Sequence, residues 1–175
     1  MIKEFLFEKL IQRILGLTFL LAFTLAAWNT LTTYIKNDID IFLKITMQTQ
    51  ESGEGVFFYD IGRGFNEGNK SSSYVNGDGL FHECNFKIPF PTTIYRLRFD
   101  PPSSTAGEVI IKRVELVDHH DWVLHRFDLD HLKAVQQIKG FVNNRREIRF
   151  SIERGANDPQ IHIQIDKPLN LDRGL

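Results

Sequence analysis

Cysteine is nearly missing from this chain of 175 residues, which contains Cys84 alone. A single cysteine excludes a disulfide within the chain and leaves the redox compartment open. Cys84 shares the face of a predicted strand with Phe86 and Ile88, which predicts a small core residue. A nucleophilic pair with His82 is not expected, because the two side chains would project in parallel without an orienting partner.

An excess of one charge is also missing. The net charge is −1, and the part after residue 35 has 18 Lys and Arg against 20 Asp and Glu. Proteins that bind nucleic acid neutralise phosphates with a surplus of cations. Nucleic acid is therefore not expected as a partner.

Long apolar runs are rare, and the exception lies near the start. Residues 14–35, ILGLTFLLAFTLAAWNTLTTYI, contain no charge, and Lys3, Lys9 and Arg13 precede them. A helix of this length reaches about 33 Å, enough to cross a membrane. The positive-inside rule then places the N-terminus in the cytoplasm. We predict a single-pass anchor, residues 1–36, in the cytoplasmic membrane, with residues 37–175 on the periplasmic or extracellular side.

Two alternatives to an uncleaved anchor stay open. Residues 14–27, the most apolar part, are short enough for a cleaved signal peptide, although TLA and LAA are mediocre cleavage sequences. A buried core helix is less consistent with the segment, because no polar stripe occurs before Asn29. The anchor and the signal peptide both place the rest of the chain outside the cytoplasm.

Beyond residue 40 the hydrophobic period changes from helical to two. Apolar residues alternate in IFLKITM (41–47), IYRLRF (94–99), EIRFSIE (147–153) and QIHIQID (160–166), which predicts half-buried strands. About eight such strands, separated by turns and without a βαβ rhythm, are typical of an antiparallel sandwich. Residues 37–175 are therefore predicted to be mainly β, a two-sheet antiparallel β-sandwich of jelly-roll type.

One strand is predicted to be irregular. In EVIIKRVELV (108–117) the apolar face jumps from Val109 and Ile111 to Val114 and Leu116. An extra residue in one strand produces such a jump, so a β-bulge is expected near Lys112.

One short helix is predicted to interrupt the strands. DHLKAVQQIKG (130–140) places Leu132, Val135 and Ile138 near one helical face. Asp130 is a candidate N-cap and Gly140 a candidate stop.

Three stretches together resemble a known kind of extracytoplasmic segment. They are FFYDIGRGFNE (57–67), YRLRFDPPSSTAGEVIIKRVEL (95–116) and GANDPQIHI (155–163). In this order they resemble the β-sandwich segment found in some bacterial membrane proteins of envelope polysaccharide assembly, glycosyltransferases among them. The resemblance implies the fold and the side of the membrane. It does not imply transferase activity, because the multi-span or transferase part of those proteins has no counterpart here.

A glycine-rich loop is the first candidate for binding. DIGRGFNEG (60–68) combines three glycines with acids, an arginine and an aromatic ring, a set that suits sugar hydroxyls and ring faces. A plain hairpin loop with glycines at positive φ has the same sequence pattern, and we favour it. The predicted ligand contacts are Tyr59, Asp60, Arg63, Phe65 and Glu67.

Metal ligands are considered in two places. In HHDWVLH, His119, Asp121 and His125 would share one face of a strand, but polar residues on a solvent face give the same pattern. Asp100 and Asp158 precede prolines and suit either Ca²⁺ or a turn. We favour the structural interpretation in each case, and predict no metal and no cofactor.

No nucleophile or acid–base constellation stands out, so a hydrolase is the least favoured function and no enzyme is predicted. We expect a non-catalytic module that contacts membrane lipid and binds envelope carbohydrate. The alternative is a single-span accessory subunit whose sandwich caps the outer face of an integral-membrane partner. Its helix would pack through small residues and an interfacial ring. These are Gly16, Thr18, Ala22, Ala26 and Trp28.

Overall fold

A computed structural model describes residues 2–37, 40–89, 92–103 and 107–171, with helix side chains described for residues 13–30. The chain divides into two compact units, residues 1–39 and 40–175. The predicted fold class is confirmed: an N-terminal apolar helix is followed by two antiparallel sheets arranged as a sandwich, with one short helical turn.

The first unit is the helix α1 (Ile2–Asn37). Its segment Arg13–Thr30 has a mean hydropathy of 1.3 and no buried part, so it is long and apolar enough to serve as a signal anchor or a signal sequence. The hydroxyls of Thr18, Thr24 and Thr30 donate to carbonyls of their own helix at 2.8–3.1 Å. These bonds satisfy the hydroxyl donors within the helix itself.

Only three of the five residues predicted to pack against a partner lie on one side of this helix. Thr18, Ala22 and Ala26 recur every four residues and therefore lie on the same side, whereas Gly16 and Trp28 are rotated away from them. All five residues are exposed.

The second unit is built from short strands. In chain order these are β1 (Ile41–Gln48), β2 (Gly53–Asp60), β3 (Lys70–Val75), β4 (Phe81–Ile88), β5 (Thr93–Ile94), β6 (Arg96–Asp100), β7 (Glu108–Asp118), β8 (Val123–Arg126), β9 (Leu132–Gln136), β10 (Ile138–Asn143), β11 (Ile148–Ile152), β12 (Gln160–Ile163) and β13 (Leu169–Asn170). Sheet A has the order β10-β11-β7-β1-β4, with β8 added on β7, and sheet B has the order β3-β2-β6-β12-β9. β5 and β13 form a small ribbon. The chain crosses repeatedly between the two sheets, as expected of a sandwich.

The core lies between the two sheets and is rich in phenylalanine. Phe86 of sheet A lies with its ring centroid 6.0 Å from Phe57 and 5.7 Å from Phe99, both of sheet B. These rings and Leu43 are at most 1% exposed. Cys84 is buried beside them, as predicted, and burial raises the pKa of its thiol to about 11, which makes it unreactive.

The predicted bulge in β7 is confirmed. Thr46 pairs with Arg113 while Met47 pairs with Ile111, so Lys112 is the extra residue. The Lys112 ammonium instead lies 3.6 Å from the ring centroid of Phe81.

The short helix predicted at 130–140 has different bounds from the helical turn of the structure. The turn is a single 3-10 turn, Leu129–His131, capped by the Asp128 side chain, which accepts from the backbone N–H of Asp130 at 3.0 Å. Residues 132–136 and 138–143 are strands, with Gln137 at φ 54° between them. Pairing with β12 and β11 outweighs the local helical spacing.

Candidate functional site

The glycine-rich loop, residues 61–69, joins β2 to β3 and is organised by Asp60. The Asp60 side chain is 2% exposed, and its Oδ1 accepts from the backbone N–H groups of Gly62, Arg63 and Gly64 at 2.8, 2.9 and 2.8 Å. Gly62 and Gly64 have φ values of 95° and 82°, which other residues rarely adopt. The loop is therefore folded around one carboxylate.

The second oxygen of Asp60 binds the neighbouring strand. Its Oδ2 accepts from Nε and from Nη2 of Arg96, each at 2.7 Å. Burial raises the pKa of Asp60, but the bonds from Arg96 and from the loop amides outweigh it, so the pKa lies below its usual value. The carboxylate has no free oxygen for a ligand, and its role is to position the loop and Arg96.

Phe65, at the tip of this loop, packs on the outer face of sheet B. Its half-buried ring lies with the centroid 5.3 Å from the guanidinium carbon of Arg96 and 5.9 Å from that of Arg98. The imidazole of His162 meets the ring edge-on at 5.4 Å. We call this surface, formed by the loop with Arg96, Arg98 and His162, the loop face.

The two arginines beneath Phe65 are paired with carboxylates. Arg98 donates from Nε to Asp100 at 2.7 Å and from Nη2 to Asp158 at 3.1 Å, and it also lies 4.5 Å above the ring of Phe58. Burial, together with the charges of Arg98 and then Arg96, lowers the pKa of His162. The imidazole is therefore neutral at physiological pH, able to donate and accept hydrogen bonds.

A groove of about 520 Å³ opens beside the loop face. Arg96 and His162 form its wall towards Phe65, and Tyr95 lies against Gly62 of the loop. Lys133 and Gln164 line the groove as well. Its size is within the range of small-molecule sites, and its lining combines a ring, planar polar groups and an amide.

The loop residues predicted from the sequence have different environments. Tyr59 is buried, with its ring centroid 6.3 Å from that of Phe57, so its side chain faces the core and not a ligand. Glu67 is exposed and paired with Lys70. Arg63 is exposed, and among the described residues no partner contacts its side chain.

The groove residues were not recognised as a set from the sequence. The alternation of IYRLRF and QIHIQID predicts that Arg96 and His162 point away from the core, which is correct, but the helix predicted at 130–140 includes Lys133, which lies in β9. The pairing of β12 with both β6 and β9 brings them together. The alternation of apolar residues therefore predicts which face of a strand each side chain occupies. Only the order of the strands in the sheet shows which side chains are neighbours.

The proposed metal candidates do not share a strand face. His119 and Asp121 lie in a turn organised by Asp118, and β8 begins only at Val123. Asp121 accepts from the Lys44 ammonium at 2.6 Å, and the His125 ring packs on Phe127 at 4.7 Å. Within the described ranges, no group of three or more His, Cys, Asp or Glu is arranged to hold a metal.

Asp100 and Asp158 pair with the Arg98 side chain rather than with a metal ion. Both carboxylates lie within ion-pair distance of the Arg98 guanidinium. Burial raises the pKa of Asp100, and Arg98 partly offsets this rise. Among the described residues the donors to these carboxylates are side chains, and no local backbone N–H of the kind a simple turn offers donates to either.

Comparison with models of protein families, with curated proteins and with solved structures finds no match to this chain.

Proposed function

We propose that the protein is a membrane-anchored, non-catalytic β-sandwich module that binds envelope carbohydrate at the groove beside the loop face. In this proposal α1 is an uncleaved anchor in the cytoplasmic membrane, with the N-terminus inside and the sandwich outside. The observation that supports it best is the Phe65 ring, held beside a groove whose lining carries Arg96, paired with Asp60, and one further charge of each sign, Lys133 and Asp166.

Carbohydrate fits this arrangement better than a charged ligand does. A sugar presents an apolar ring face, which packs on an aromatic side chain, and hydroxyls that both donate and accept. His162 and Gln164 offer donors and acceptors, and Arg96 keeps donors beyond those used by Asp60. Because Asp60, Asp100 and Asp158 neutralise the two arginines and Asp166 balances Lys133, the groove has little excess charge to attract an anion.

A glycan array probed with the full chain tests this proposal. The chain is kept in a polyoxyethylene detergent, which carries neither sugar nor phosphate. We expect saturable binding that Phe65→Ala reduces by about tenfold, the effect of losing one ring contact of 1–2 kcal/mol. Trp122→Ala is the matched control, since Trp122 is 72% exposed and belongs neither to the loop face nor to the lining of the groove. Absence of glycan binding, or an equal loss in the control, contradicts the proposal.

A second function, an accessory subunit of a membrane complex, rests on a different observation. Every described side chain of the apolar segment, residues 13–30, is exposed, and Thr18, Ala22 and Ala26 form a small-residue stripe. Gentle extraction from native membranes followed by size analysis tests it. A complex well above 20.3 kDa is expected if a partner packs on this stripe, and Ala22→Leu is expected to dissociate it. A monomer in mild detergent contradicts the accessory function.

A further inference from the structure

A separate groove on the sheet A side of the sandwich is lined mainly by cations. It has a volume of about 470 Å³ and lies beside the bulge of β7. Four of its lining residues are basic and one is acidic. We call it the basic pocket, defined by Lys112, Arg113, Arg126, Asp128 and Arg145.

Two of these cations are oriented by carboxylates outside the pocket lining. Glu115 is 4% exposed and accepts from Arg126 through Nε at 2.7 Å and Nη2 at 2.6 Å. Glu83 lies 3.5 Å from Arg113. A guanidinium has five N–H donors, so Arg126 keeps donors for another acceptor while its plane is held in place.

The other two cations are uncompensated. Among the described residues no carboxylate lies within ion-pair distance of Lys112 or Arg145, and the Lys112 ammonium contacts the Phe81 ring instead. The acidic residue of the pocket, Asp128, already accepts from the Asp130 backbone at the 3-10 turn. The pocket therefore holds positive charge that its own acids do not neutralise.

Hydrogen bonds of the local turn fix the position of Arg145. Its φ is 68°, a left-handed conformation that is unfavourable for arginine. The Asn143 side chain accepts from the Arg145 backbone N–H at 2.8 Å, and Asn144 accepts from Arg146 and Glu147 at 3.0 and 2.9 Å. Two consecutive asparagines thus hold a turn that keeps Arg145 at the pocket.

We propose that the basic pocket binds a phosphate group, with Lys112 and Arg145 supplying the charge and Arg126 a preoriented donor. Arginine and lysine are the usual ligands of phosphate oxygens, and charge-assisted bonds to them are strong. A soluble sugar phosphate and a phospholipid headgroup present the same chemistry. This site is independent of the carbohydrate groove, because the two grooves share no lining residue.

Titration of the full chain with inorganic phosphate, in polyoxyethylene detergent at constant ionic strength, tests the proposal. We expect saturable binding that the double variant Lys112→Gln, Arg145→Asn weakens at least about tenfold, since each substitution removes charge-assisted bonds. Asparagine is chosen at 145 because it tolerates the left-handed backbone. An unchanged unfolding temperature shows that the variant is folded.

A control variant removes the same charge elsewhere. Lys139→Gln with Arg154→Gln changes two exposed cations outside the pocket and is expected to leave phosphate binding unchanged. Absence of saturable binding by the native chain, or equal weakening in both double variants, overturns the proposal.

Two further arms identify the source of the phosphate. Tighter binding of a sugar phosphate than of inorganic phosphate in detergent supports a soluble ligand. Loss of phosphate binding by the native chain in phosphatidylglycerol nanodiscs, together with direct phosphatidylglycerol binding that the pocket variant weakens, supports a lipid headgroup. Each result supports the phosphate site.

Discussion

The outer faces of the two sheets each carry a buried carboxylate bound to an arginine, but the two pairs are used differently. On sheet B, Asp60 binds Arg96 with one oxygen and three loop amides with the other. On sheet A, Glu115 binds Arg126 through one oxygen, and no loop depends on it. One carboxylate organises a length of backbone, whereas the other orients a single side chain.

The surrounding charges differ in the same way. On the loop face, acids accompany each arginine that lies beneath Phe65. In the basic pocket, Lys112 and Arg145 remain without a carboxylate partner among the described residues. The comparison indicates that the loop face is suited to neutral, hydroxyl-rich ligands and the basic pocket to anions.

The largest expected effect is on the stability of the loop. Asp60→Ala should lower the free energy of unfolding by about 3 kcal/mol, because three part-buried backbone donors and Arg96 lose a charged acceptor. Chemical denaturation followed by far-UV circular dichroism measures this loss. A change below about 1 kcal/mol would mean that the loop folds without its carboxylate.

The pH dependence of the same residue sharpens this point. The pKa of Asp60 is lower in the folded than in the unfolded protein, so its stabilisation is complete above the unfolded value of about 4 and is lost as the pH falls below it. Stability measured between pH 5 and 3 should therefore fall more steeply in the native chain than in Asp60→Asn. Parallel curves would show that Asp60 does not contribute to acid sensitivity.

On sheet A the corresponding substitution should cost less. Glu115→Gln is expected to lower stability by about 1 kcal/mol, since one charged hydrogen-bonded pair is weakened and the exposed Arg126 can be solvated. The same denaturation measurement, run beside Asp60→Asn as the matched carboxylate-to-amide change, compares the two faces directly. Equal losses would remove the distinction drawn between them.

The last expected effect is as small and has the opposite sign. Thr46, on the outer face of sheet A, has a buried hydroxyl without a hydrogen-bond partner among the described residues. Thr46→Val should raise stability by about 1 kcal/mol, because it removes an unsatisfied polar group and suits a strand. Thr49→Val is the control and should destabilise, since that hydroxyl bonds the backbone of Glu51. Destabilisation by Thr46→Val would indicate an unrecognised bond.

The glycine-rich loop shows which features of the site the local sequence can predict. The sequence predicts positive φ for the glycines of the loop; Gly62 and Gly64 adopt it, and Gly68 does not. Asp60 was expected to meet a ligand, but a carboxylate two residues before a run of free amides is captured by the backbone instead. Tyr59 was placed with the loop because it is adjacent in sequence, whereas strand alternation turns it into the core.

The prediction of the bulge was more accurate than the prediction of the helix, for a related reason. At Lys112 the apolar alternation of the strand itself changes face, so the bulge could be predicted correctly from the local sequence. At residues 132–140 the apolar spacing suits a helix locally, but hydrogen bonds from β11 and β12 convert it into two strands. Such partners are distant in sequence and invisible to a local pattern.

What the sequence determined by itself is the division of the chain into an apolar helix and a strand-rich domain, because period and hydropathy are local properties. The tertiary structure alone decided which residues meet. Sheet order placed Arg96, Arg98 and His162 beneath Phe65, and the fold gathered Lys112, Arg126 and Arg145 around one pocket. Contacts of this kind join residues dozens of positions apart, and only strand pairing and packing fix their distances.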